Sequence, residues 1–187
     1  KFILPVRHPR NTIASLMKQH KLFQEGERKY PRSLKHMRQV GHFEFGLDLR
    51  FINTGDLQKL EEIEELISSG QEVRGWARYW STLYRFLADQ LNENEALRRA
   101  AYVLRYEDLC DNPQETFKQA ASHCEFDAHE NFTRFADTIE APTYYKTNFT
   151  DEEMLAIEEE TASTAAMFGY GSTESAEPHN CCVLSAD

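Results

Sequence analysis

Arg7 and Ser15 flank the stretch His8-Pro9-Arg10-Asn11, and together they are suited to gripping an anion. A guanidinium presents a planar fork of N–H donors to two oxygens of a phosphate, and a serine hydroxyl adds another donor. Such a pair binds without itself supplying a nucleophile or a base. The bland alternative is an ordinary strand, loop and helix with a surface Arg and an incidental Ser. Glu107 and Asp108, adjacent in Arg105-Tyr-Glu-Asp-Leu109, invite an acid/base reading. Metal chemistry has no comparable signal, because the seven His are scattered and no Cys/His spacing resembles a zinc site. No Gly-rich phosphate cradle is evident, since Gly169-Tyr-Gly171 follows a helical pattern instead of opening one.

These groups need elements to place them. Phe2, Ile3, Leu4 and Val6 form a short apolar run, as in a parallel strand covered on both faces. Pro9 disfavours helix at His8, so residues 8–11 are expected to turn, with Asn11 or Thr12 capping a helix. Ile13, Leu16 and Met17 would share that helix's buried face. In an open α/β sheet the ligand crevice lies at the carboxyl ends of the strands, where Arg7 would stand. A helix start adds unpaired N–H groups and a positive dipole end.

A second strand is expected at Tyr102, Val103 and Leu104. After it, Asn112 can cap, Pro113 sits at the first helical position, and Glu115 completes a capping-box-like start. Phe117, Ala120, Ala121 and Cys124 would be the buried face. Tyr106, just past the strand, reads from its residue type as a core-edge aromatic with its hydroxyl satisfied nearby. Near the far end, Thr150 and Glu153 form a capping box, Met154, Ile157, Ala165 and Phe168 can line one face, and Gly169 is a natural stop.

In order along the chain, three segments resemble a known family. Arg7-x-Pro-Arg10 after an apolar strand, followed by Ser15, is similar to the 3′-phosphate-binding segment of sulfotransferases that use 3′-phosphoadenosine 5′-phosphosulfate (PAPS). Arg105-Tyr-Glu-Asp-Leu109 followed by Asp111-Asn-Pro113 resembles the family's later strand and loop, and the helix closing on Gly169-Tyr170 resembles its final helix. The resemblance implies that Arg7 and Ser15 bind the 3′-phosphate, that Tyr106 lies beside the adenine, and that Glu107 and Asp108 brace their loop. It makes His42, Phe43 and Phe45 weak candidates for an acceptor pocket, and leaves Lys146 as a surface residue without a phosphate role. The implied fold class is α/β: a partial P-loop-type sulfotransferase fold, with a parallel sheet flanked by helices. The implied reaction moves a sulfuryl group from PAPS to a hydroxyl or amine acceptor and releases adenosine 3′,5′-bisphosphate. On the resemblance, residues 1–170 read as the C-terminal part of one such domain, with 22–72 a helical or lid insertion. The family's 5′-phosphosulfate-binding loop lies upstream of this segment, so the fragment alone is expected to be inactive, with its catalytic residues unknown. Two alternatives stay open: a non-catalytic nucleotide-binding or interaction module, and a kinase-like phosphotransferase.

Composition agrees with a globular domain. The chain has 187 residues, 41% of them hydrophobic, enough for a real core. Its net charge of −10 argues against a general nucleic-acid or anionic-membrane partner. That charge is uneven: residues 1–40 carry ten Lys/Arg against two Asp/Glu, so the remainder holds a large acidic excess. Arg28, Lys29, Arg32, Lys35 and Arg38 are expected to form a solvated basic helix or loop. Of the middle, 18–41 reads as the end of the first helix and a loop. Phe43, Phe45, Leu47, Leu49 and Phe51 read as either a half-buried strand or an aromatic-rich irregular segment. Asp56–Ser68 and Val73–Leu91 read as amphipathic helices, the second with Trp76, Trp80, Leu83, Leu87 and Leu91 as its core stripe.

Cys110, Cys124, Cys181 and Cys182 are expected to be free thiols. Asn131 and Asn148 fit glycosylation sequons, and 171–187 reads as a disordered tail. No twenty-residue apolar run is present. The cytoplasm is favoured as compartment, with the Golgi lumen open should an N-terminal anchor precede the chain.

Overall fold

A computed structural model describes residues 1–126, 134–136, 138–139 and 148–171. The Asn131 sequon, Lys146, Cys181, Cys182 and residues 172–187 lie outside them. The described elements run β1 (Phe2–Val6), α1 (Pro9–Lys29), α2 (Pro31–Val40), α3 (Leu57–Ser68), α4 (Glu72–Glu93), α5 (Glu95–Ala100), β2 (Ala101–Arg105), α6 (Tyr106–Asp111), α7 (Pro113–His123) and α8 (Asp151–Ala166). The described residues are therefore mostly helical with a small parallel sheet, which is α/β in the broad sense. The chain divides into two compact units: one holds 1–8, 85–148 and 162–187, the other 9–84 and 149–161.

The first unit contains the sheet. β1 and β2 pair in parallel, with Phe2 opposite Ala101 and Val6 opposite Arg105. That register brings the residues following each strand, Arg7 and Tyr106, out at the same carboxyl end. Val6 is fully buried, whereas Phe2 and Ile3 are 40% and 41% exposed. Burial of β1 thus holds only at its carboxyl end, not along the whole strand as expected.

Pro113 takes the first helical position of α7 as expected, but the Asn112 side chain makes no capping bond. Thr116 instead lies 3.0 Å from the Asp108 carbonyl and 2.9 Å from that of Asn112, tying α7 to α6 through its hydroxyl. Its burial with Ala120 moves the inner face of α7 one position from the expected one, leaving Phe117, Ala121 and Cys124 half-buried. The chain past α8 closes in a double bond pattern: Tyr170 N–H donates to Ala165 O at 3.1 Å and Gly169 N–H to Ala166 O at 3.1 Å. Gly169 takes φ +78°, which the pattern demands and which glycine adopts without steric cost. Ala165, Phe168 and Tyr170 are buried as a result.

In the second unit, α1, α3 and the first part of α4 supply a core of Ile13, Ile63, Trp76, Ala77 and Trp80, with Ile157 of α8. Thr150 and Glu153 form the capping box, the Thr150 N–H reaching Glu153 at 2.8 Å and the Glu153 N–H reaching Thr150 Oγ1 at 3.2 Å. Asp56 caps α3 by accepting from Lys59 N–H at 3.2 Å.

Two expectations change here, and an alternative left open is decided. α1 begins at Pro9, not after a cap at Asn11 or Thr12, because proline fits the first helical position where its missing N–H costs nothing. The basic stretch is helical throughout: α1 runs to Lys29, and α2 follows after Tyr30. Residues 42–52 form no strand. Gly46 at φ +91° breaks the extended path, and side chains from α1 take over as hydrogen-bonding partners.

Candidate functional site

Arg7 and Tyr106 come from segments about a hundred residues apart and meet at the carboxyl ends of β1 and β2. The Arg7 guanidinium carbon stands 4.8 Å from the centroid of the Tyr106 ring, a cation–π contact. Both residues are half-buried. A guanidinium over a ring face hydrogen-bonds through its in-plane N–H groups.

Glu107 fastens this end of the sheet. One carboxylate oxygen accepts the His8 N–H at 3.0 Å, and the other accepts the Tyr170 hydroxyl at 2.7 Å. The same hydroxyl lies 3.3 Å from the Val6 carbonyl. Its proton is shared in a three-centre bond, the nearer and charged Glu107 oxygen taking the larger part and the Val6 carbonyl the weaker branch. Burial, and next the negative charge of Glu107, push the Tyr170 phenol far above its ordinary pKa, so it stays a donor. The His8 ring meets the Tyr170 ring edge-on at 5.4 Å.

Arg105 holds the other side of Tyr170. Its guanidinium carbon lies 4.5 Å over the ring, and its Nη1 donates to Gly169 O at 3.2 Å. A Cβ on Gly169 would come within 3.1 Å of that nitrogen, a second reason for glycine there. Arg105 Nε also faces Asp108 at 3.7 Å. Burial lifts the Asp108 carboxyl above its ordinary pKa, with Arg105 pulling the other way. Both carboxylates of the Arg105–Leu109 segment are therefore engaged by local partners, and the acid/base reading of Glu107 and Asp108 gains no support.

Of the residues expected to bind nucleotide, Arg7 and Tyr106 are brought together. Ser15 belongs to the other unit, in the second turn of α1, and is half-buried. It is not at the first exposed N–H groups of the helix, because the helix starts three residues earlier than the turn chemistry suggested. His42, Phe43 and Phe45 also lie in that unit, where Phe23 packs against His42 at 5.2 Å and Phe45 at 5.7 Å. Tyr170 and Arg105 were not singled out from sequence as parts of the site. The available signal was the glycine before Tyr170, which fixes where the ring must point once the helix ends.

Among the described residues, no group of three or more His, Cys, Asp or Glu is placed to hold a metal ion. Cys110 and Cys124 are free thiols. No described helix is long and apolar enough to cross a membrane. Comparison of the chain with protein-family models, curated proteins and solved structures finds no match.

Proposed function

We propose that this chain carries the 3′-phosphate-binding part of a PAPS-dependent sulfotransferase-like protein, which moves a sulfuryl group to a hydroxyl or amine acceptor. Arg7 grips the 3′-phosphate of PAPS or of the product adenosine 3′,5′-bisphosphate through its in-plane N–H edge. Tyr106 lies beside the adenine. The observation that carries the reading is the meeting of Arg7 and Tyr106 at the carboxyl ends of two parallel strands. The two residues belong to separate motifs that resemble the same family, and the end they share is where open α/β sheets take their ligands. The Ser15 role rests on the motif spacing alone. Catalysis in such a reaction is mainly positioning and electrostatic stabilisation of spread negative charge, as in phosphoryl transfer.

Calorimetric titration with adenosine 3′,5′-bisphosphate tests the binding step. The Arg7→Ala variant should bind at least about tenfold more weakly, because a charge-assisted contact is lost. Unchanged affinity removes Arg7 from the site. Transfer from labelled PAPS to pooled carbohydrate, phenol and peptide acceptors separates a transferase from a module that only binds.

A further inference from the structure

We propose that Glu107 and Tyr170 form a positioning pair that holds the backbone on both sides of Arg7, and so sets the direction in which its guanidinium meets an anion. This inference rests on the nucleotide reading of Arg7 and adds to it two residues that the motif resemblance leaves without a ligand-related role.

The peptide groups flanking Arg7 are those of Val6 and His8. The Val6 carbonyl lies 3.3 Å from the Tyr170 hydroxyl, and the His8 N–H donates to Glu107 at 3.0 Å. Glu107 and Tyr170 are themselves joined at 2.7 Å. One bonded pair thus spans the residue before Arg7 and the residue after it. The turn out of β1 has no strand ladder beyond Val6 to fix it, since the register with β2 ends at Val6 and Arg105. The pair replaces that ladder for the next residue. Its own anchorage is firm. Tyr170 is 6% exposed, Gly169 before it turns the chain at φ +78°, and Arg105 covers its ring at 4.5 Å. Tyr106 precedes Glu107 directly, so the same segment that pins the Arg7 backbone also supplies the ring under its guanidinium. A long, flexible arginine gains affinity when it is pre-set, because less side-chain freedom is lost on binding.

The test compares Glu107→Ala, Glu107→Gln and Tyr170→Phe with the unaltered chain, with folding of each checked by circular dichroism. Two quantities are read: deuterium exchange of the His8 amide by NMR, and calorimetric affinity for adenosine 3′,5′-bisphosphate. In Glu107→Ala the His8 amide should exchange at least about tenfold faster, and affinity should fall by about tenfold. Glu107→Gln should keep both within about threefold, because the amide oxygen accepts from His8 while the Tyr170 proton moves to Val6 O. Tyr170→Phe should keep most of the His8 protection and lose several-fold in affinity.

A folded Glu107→Ala protein with unchanged exchange or affinity overturns the proposal, and so does a Glu107→Gln protein as impaired as the alanine variant. Should Glu107→Ala not fold, Tyr170→Phe decides: unchanged affinity overturns the pairing. Absence of bisphosphate binding by the unaltered chain would defeat the nucleotide reading. The His8 exchange would then still judge the clamp, upheld if protection is lost in Glu107→Ala and overturned if it is kept.

Discussion

Arg7 stands over the Tyr106 ring in a cation–π contact, and the ring supports the guanidinium by its face. Replacing Tyr106 by Leu should weaken bisphosphate binding by several-fold, whereas Tyr106→Phe should cost little, because the ring and not the hydroxyl supports Arg7. Calorimetry on the two variants checks this, and equal losses in both would point to the hydroxyl instead. The types of these residues were legible in the sequence because arginine, tyrosine and the motif order are local signals. Their contact was not, since it depends on a strand pairing between segments far apart. The Glu107 contacts were hidden for the same reason: a carboxylate beside an arginine looks alike whether it brackets a loop or does acid/base work.

At the scale of elements, the irregular segment 42–52 is held by two buried polar side chains of α1, His20 and Glu27, which are 7% and 5% exposed. Glu27 accepts the Leu47 N–H at 2.6 Å and His20 Nδ1 accepts the Gly46 N–H at 3.3 Å. A Cβ at Gly46 would sit within 2.4 Å of the Glu27 carboxylate, and its φ of +91° strains any other residue. Gly46→Ala should therefore destabilise the protein by about 2 kcal/mol or more, read as a lower urea midpoint.

His20 adds a pH dependence. Burial is the largest influence and lowers its pKa from 6.5, with Arg28 acting in the same sense and Glu72 and Glu27 opposing. The unfolded chain then takes up the proton more readily than the folded one, so this contribution is present above pH 6.5 and is lost as pH falls below that value and through the lower pKa of the folded state. Urea unfolding at pH 7.5 and 5.5 should show a larger loss for the unaltered chain than for His20→Gln; equal losses would remove His20 as a source. Alternating Phe and Leu residues left strand and irregular segment equally open, because the α1 side chains that take the backbone bonds come from elsewhere in the chain. The helices were far more legible. Thr150 with Glu153, Asp56 and Gly169 each stop or start a helix by a bond formed within a few residues, and such bonds can be read from the order of residues alone.

At the scale of the whole molecule, the basic excess of residues 1–40 stands in a chain of net charge −10. An anion bound through Arg7 would depend on that guanidinium's own charge and not on the protein's overall charge. Raising salt from about 0.1 M to about 1 M shortens the screening length from about 10 Å to about 3 Å. Bisphosphate affinity should fall over that range, and an affinity independent of salt would argue against an electrostatic anchor. The two compact units share the expected motifs unequally, with Arg7 and Tyr106 in one and Ser15 in the other. The central claim thus rests on recognition of the 3′-phosphate by Arg7. It is tested most directly by titrating the unaltered chain and Arg7→Ala with adenosine 3′,5′-bisphosphate and with adenosine 5′-monophosphate, which lacks the 3′-phosphate. The account predicts at least about a tenfold preference for the bisphosphate in the unaltered chain, mostly lost in Arg7→Ala while monophosphate affinity changes little. No preference in the unaltered chain, or a preference that survives Arg7→Ala, would contradict it.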